Sequence, residues 1–174
     1  MDDFNPFASR EWWLMFALML LGRGLDFLST WIATPNLVLE ANPIARKLGW
    51  KWGGVVNLGM CVAFAFWALP AIVIVTTSIL VAARNFQSAW LMRTMGEHEY
   101  RLWMTIRVEA TSWRLYMFTL AGQTLPFLAI GAALMIFGGN RLVPVAVGMG
   151  HVAYGVAVAV YSVLSVWRIR RFMG

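Results

Sequence analysis

Charge is scarce in this sequence, and acidic charge scarcest: 8 Asp and Glu stand against 14 Lys and Arg in 174 residues, and only 13% of the chain is charged. A soluble globular domain carries roughly 25%, so a water-facing surface all round is excluded. Cysteine is nearly missing too. Cys61 alone permits no intrachain disulfide and no cysteine-based metal cluster, and inside an apolar run it reads as a small buried hydrophobe. Histidine occurs twice, at 98 and 151. Two histidines give no zinc site of the usual ligand set, and only His151 falls in an apolar run, which excludes a haem held by two membrane histidines. His151 as a single axial ligand is all that is left of that chemistry. The catalytic signatures H-E-x-x-H and G-x-S-x-G, the P-loop and the glycine-rich dinucleotide fingerprint are all absent. No metal is therefore expected, and the cofactor stays open. No basic patch stands apart from the ends of the apolar runs, so nucleic acid is not an expected partner.

What the chain has instead is apolar length. Hydrophobic residues make up 60% of it, and the mean hydropathy is +0.68. Four runs, 12–35, 54–83, 115–137 and 142–167, each reach the roughly 20 residues that cross about 30 Å of hydrocarbon. The expected fold is all-α: one integral membrane domain over 1–174, a four-helix bundle in the lipid bilayer. Met1 to Arg10 holds two aspartates where a signal peptide has a basic start, and the run after it is too long for a signal core. With four crossings, the N-terminus, segment 84–114 and the C-terminal tail share one side. That side carries Arg10, Arg84, Arg93, Arg101, Arg107, Arg114, Arg168, Arg170 and Arg171. The other has Arg46, Lys47, Lys51 and Arg141. By the positive-inside rule both termini are expected in the cytoplasm.

Between the second and third runs, Asn85 to Trp113 is too polar for a span. Arg93, Glu97 and Arg101 repeat every four residues, which pairs opposite charges on one helix face, and Trp90, Leu102, Trp103 and Ile106 supply an apolar face. This reads as an amphipathic cytoplasmic or interfacial helical segment, divided at Gly96. Glu97, His98 and Glu99 are consecutive, so on a helix they point about 100° apart and cannot share one ion. They read as a solvated polar face.

Arg23 and Asp26 sit inside the first run, where ionisable side chains pair with something or face a wet cavity. Their spacing puts both on one helix face. Arg23 lies roughly 16 Å along its helix, and the same rise puts His151 roughly 15 Å and Gln123 roughly 12 Å into theirs. These four polar residues are expected in one central layer, with Tyr154 as a hydrogen-bond partner for His151. The bland alternative is an ion pair that fixes helix packing.

In the first loop, Asn42-Pro43 has the form of a helix cap and first turn, so a short interfacial helix is expected from Pro43 to Leu48, with Trp50 and Trp52 at headgroup level. Glu40 precedes the cap. Its carboxylate either folds over the mouth of the bundle above Asp26 and Thr30 or pairs with Arg46 or Lys47 at the surface. The pattern Asp26-x-x-Ser29-Thr30 followed by Glu40-x-Asn42-Pro43 resembles the signature of a group of small polytopic membrane proteins of bacteria and archaea. That group shares a D-x-x-[ST]-T helix end and an E-x-N-P loop and has no established activity. The resemblance covers roughly residues 22–53. It implies a four-span fold in a bacterial or archaeal cytoplasmic membrane, with Asp26, Thr30, Glu40 and Asn42 in one site.

Pro70 and Pro126 are expected to kink the second and third spans. Gly148, Gly150, Ala153, Gly155, Ala157 and Ala159 give the fourth a small face for close contact, within the chain or between protomers. Three functions remain open. The first is binding or transport of a small ligand, ion or lipid in a polar intramembrane cavity lined by Arg23, Asp26, Thr30, Glu40, Asn42, Gln123 and His151. The second is an accessory or scaffold subunit of a larger membrane complex. The third is a membrane hydrolase or transferase acting on lipid through Asp26 and Glu40. A chain this small is expected to form a homo-oligomer or to join a complex.

Overall fold

The computed structural model describes residues 3–40 and 42–173, and these form six helices with no named strand among them. Helix α1 (Arg10–Ala33) begins where Ser9 Oγ accepts the Trp12 amide, 3.1 Å away, with Glu11 in its first turn. Helix α2 (Pro43–Phe64) starts as the Asn42-Pro43 pair requires: Asn42 Oδ1 accepts from the Ile44 amide at 3.0 Å, and Pro43 takes the first helical position. The short helix ends at Gly49, whose φ of 64° belongs to glycine, and a second segment continues to Phe64. Then come α3 (Ala68–Met95), α4 (Glu97–Ala110), α5 (Trp113–Phe137) and α6 (Leu142–Met173). Gly96, at φ 84°, divides α3 from α4. Four of these helices, α1, α3, α5 and α6, are long and apolar enough to cross a membrane.

The path between them departs from the expected one. The apolar run 54–83 is not one span, because the chain turns at Phe66 and Trp67. The N-terminal segment clamps this turn. The Asn5 amide donates to the Phe66 carbonyl at 2.7 Å, Asn5 Nδ2 to that of Ala65 at 3.0 Å, and the Ala68 amide to that of Asp3 at 2.9 Å. Pro70 falls in the first turn of α3, where a missing amide costs nothing, so it opens a helix instead of kinking one.

The starts of α1 and α3 therefore lie together. Their far ends do too, since Glu97 binds the loop after α1, and the two helices run parallel. Between them α2 returns along α1: Trp50 stacks edge-on against Phe27 at 4.9 Å, Asn57 meets Arg23, Cys61 packs with Met19, and Phe66 meets Trp12. Helix α6 runs parallel to α3, with Thr77 Oγ1 donating to the Gly150 carbonyl at 3.1 Å, and α5 runs antiparallel to α6. At the end of α6, Arg170 donates to the carbonyls of Val108 at 3.0 Å and of Thr111, which ties α4 to the bundle.

The chain ends are placed differently on this path from the four-crossing one. Asn5 and the end of α6 lie at opposite ends of the bundle, because α2 is an additional return pass. Loop 36–53 lies at the same end as α4, not across from it. The small face of α6 is used within the chain. A Cβ on Gly148 would stand 2.6 Å from the Gly131 carbonyl oxygen, and one on Gly150 2.6 Å from Thr76 Cβ. Close approach at these two positions is what lets α6 join α5 to α3.

Candidate functional site

Two polar centres occupy the bundle, and their chemistry differs. The first lies between α1, α2 and α3. Arg23 Nη1 bonds Asp26 Oδ2 at 2.8 Å and donates to Ser78 Oγ at 3.2 Å, while Nε donates to Asn57 Oδ1 at 2.7 Å and Nη2 to the same oxygen. Asn57 in turn donates to the Gly53 carbonyl at 2.7 Å. One turn further along, Asn85 Nδ2 reaches Ser29 Oγ at 3.2 Å and Thr30 Oγ1 at 3.3 Å. The spacing of Arg23 and Asp26 foretold their pair. Asn57, Ser78 and Asn85, its partners from other helices, could not be found without knowing the chain path. The network is neutral in sum and joins one residue from each of three helices to Arg23. That is the chemistry of a register pin.

The loop end of this seam is closed by Glu97, which is 7% exposed and not on a solvated face. Oε1 accepts from the Asn36 amide at 2.8 Å and from Asn36 Nδ2 at 2.9 Å; Oε2 accepts from the Val38 amide at 2.9 Å and from Thr34 Oγ1. Burial pushes this carboxyl up, but the donors from Thr34, Asn36 and Val38 together outweigh burial and hold it below its ordinary 4.5. The expected charge ladder through Arg93 does not form, because Gly96 separates Arg93 from Glu97's helix. Arg23 with Asp26 is the single ion pair among the described residues.

The other expected site residues divide. Thr30 joins the Asn85 contact. Glu40 is half-buried, close enough for its charge to act on Asp26, with Oε1 accepting the Asn42 amide at 2.7 Å. Asn42 is exposed and spends its Oδ1 on capping α2. His151 stands about level with Arg23, since Ser78 meets Arg23 and the adjacent Thr77 meets Gly150, but neither it nor Gln123 joins the Arg23 network, because α5 and α6 pack on the other side of α3. His151 Nδ1 lies 2.9 Å from the carbonyl oxygen of Val147 in its own helix, so Nδ1 carries the proton, and the partner is not Tyr154. Its ring lies beside Phe127.

Gln123 belongs to the second centre. Helices α3 and α5 both pack on α6, leaving a crevice of about 490 Å³ between them. Arg84 and Gln87 line one wall, Gln123, Pro126 and Phe127 the other, and Tyr154 of α6 forms the floor. Arg84 makes one hydrogen bond, a long one of 3.4 Å to Ser162 Oγ, and meets no carboxylate among the described residues. Tyr154 is 3% exposed and closes the crevice from below. Pro126 also removes the amide that the Gly122 carbonyl would use, on the same wall. This centre is one positive charge and several polar groups without a countercharge. Composition gave no sign of it, because Arg84 falls where the expected span ended and the interfacial segment began.

No protein-family model, curated protein or solved structure matches the chain. The site's own chemistry has to carry the functional reading.

Proposed function

We propose that this is a small membrane protein that binds an anionic ligand in the crevice between α3 and α5, with Arg84 as its charge partner. The observation that carries the reading is the isolation of Arg84. A guanidinium at membrane depth pairs with an acid or faces a wet or polar cavity, and every acid near the bundle is otherwise engaged or distant: Asp26 holds Arg23, and Glu97 holds the loop after α1. Gln87, Gln123 and the Tyr154 hydroxyl supply further donors around the same space. The Arg23 network, neutral and satisfied, is assigned to folding.

The orientation supports a cytoplasmic approach. Ten basic residues lie toward the end that bears α4: Arg46, Lys47, Lys51, Arg93, Arg101, Arg107, Arg114, Arg168, Arg170 and Arg171. Arg10 and Arg141 alone lie at the other, with Arg23 and Arg84 inside the bundle. This asymmetry is steeper than the one a four-crossing path gives, and by the positive-inside rule it supports a cytoplasmic side for α4 and the end of α6, with Asn5 outside. Both the crevice and loop 36–53 then belong to the cytoplasmic half.

The test is thermal melting of the detergent-purified protein with three ten-carbon amphiphiles: decyl phosphate, decanoate and decanol. The two anions are expected to raise the melting temperature in a saturable way and decanol is not. Arg84→Gln abolishes the rise while Arg93→Gln, on an exposed residue outside the crevice, keeps it. Equal stabilisation by decanol, or an unchanged response in Arg84→Gln, contradicts the reading.

A further inference from the structure

Resting on that reading, we infer that the anion is the phosphate of a phospholipid from the cytoplasmic leaflet, with its acyl chains running down the lips of the crevice. Depth is the first argument. The neighbour of Arg84, Asn85, bonds Ser29 and Thr30, so Arg84 lies about one helical turn, roughly 6 Å, inside the loop end of α1. On the proposed orientation, this puts the guanidinium within reach of the phosphate and glycerol of a cytoplasmic-leaflet lipid.

The second argument is the direction from which the space is reached. The crevice lies between α3 and α5, two helices long and apolar enough to span, so it opens sideways. Apolar side chains line it between the polar groups: Leu80 and Ala83 on α3, and Pro126 and Phe127 on α5. A soluble phosphate gains nothing from these residues, whereas acyl chains cover them. The third argument is recognition. A guanidinium holds phosphate through two parallel hydrogen bonds, and Tyr154, Gln87 and Gln123 add donors on three sides. The freed Gly122 carbonyl is an acceptor, suited to a headgroup hydroxyl or ammonium.

The experiment is native mass spectrometry of the intact protein released from nanodiscs of phosphatidylglycerol and phosphatidylcholine. It is paired with melting curves in detergent titrated with phosphatidylglycerol, with diacylglycerol of the same chains, and with inorganic phosphate. One retained phospholipid per chain is expected, with a saturable melting shift from phosphatidylglycerol alone. Losing a charge-assisted contact predicts at least about tenfold weaker binding in Arg84→Gln. Should that variant fail to fold, Tyr154→Phe, which keeps the ring and removes the hydroxyl, is expected to weaken phosphatidylglycerol severalfold. Diacylglycerol as effective as phosphatidylglycerol, or wild-type lipid retention in whichever variant folds, overturns the inference. If decyl phosphate and inorganic phosphate bind through Arg84 while no phospholipid is retained, anion binding stands and the lipid assignment falls.

Discussion

Arg23 and Arg84 are the same residue type, both within helices long and apolar enough to span, and their surroundings make them opposites. Arg23 has its countercharge one helical turn away and two amide or hydroxyl partners on other helices. Arg84 has one distant hydroxyl. For the first, removing a single partner leaves a charge behind, whereas removing both removes the problem. The Arg23 and Asp26 side chains are 24% and 18% exposed, so Asp26→Ala is expected to cost about 2–3 kcal/mol, somewhat less than breaking a fully buried pair. The Arg23→Ala/Asp26→Ala double variant should lose less than the sum of the two single changes. Additive losses in a thermal unfolding series would show that the contact does not hold the two charges together. The residues of this pair were legible in the sequence because local spacing sets them. Asn57 and Ser78 were not, since their positions depend on where α2 and α3 turn.

Among the elements, α4 and the loop after α1 depend on one carboxylate. Leu37 is held at φ 57° within that loop, a conformation that costs a non-glycine residue on the order of 1 kcal/mol, and four donors to Glu97 keep it in place. The pH dependence follows from the depressed folded value. The contribution is fully present above the ordinary glutamate value of 4.5 and is lost as pH falls through the lower folded one. Stability of the wild type should therefore drop on acidification below about pH 5. Glu97→Gln, which offers one acceptor oxygen instead of two, should be less stable at neutral pH and show less of that acid loss. Hydrogen exchange at the Asn36 and Val38 amides reports the same event locally: faster exchange in the variant is expected, and unchanged protection there would mean that the carboxylate does not hold the loop. The boundary at Gly96 and the helix start at Pro43 were readable in advance, because a positive φ and a cap are local properties. Burial of Glu97 was not, as its donors come from about sixty residues earlier in the chain.

At the scale of the whole molecule, one turn decides the arrangement. Hydropathy joins residues 54–83 into a single run, since Phe64 to Trp67 is as apolar as its flanks. The hairpin there is imposed by hydrogen bonds from Asp3 and Asn5, which no pattern in the run announces. The all-helical class and three of the four spans follow from apolar length alone, while the direction of every helix after α1 depends on this turn. The proposed orientation, and with it the cytoplasmic placement of the crevice, rests on α2 returning beside α1. Labelling of single cysteines by a membrane-impermeant maleimide tests this most directly, in intact cells and in inverted vesicles, on a Cys61→Ala background whose native thiol is buried at 1% exposure. With reporters at Phe7, Ile44 and His98, all exposed, position 7 should react from outside, and positions 44 and 98 together from inside. Reaction of 44 and 98 from opposite faces would contradict the account, because the path through α2 and α3 brings both positions to the same end of the bundle.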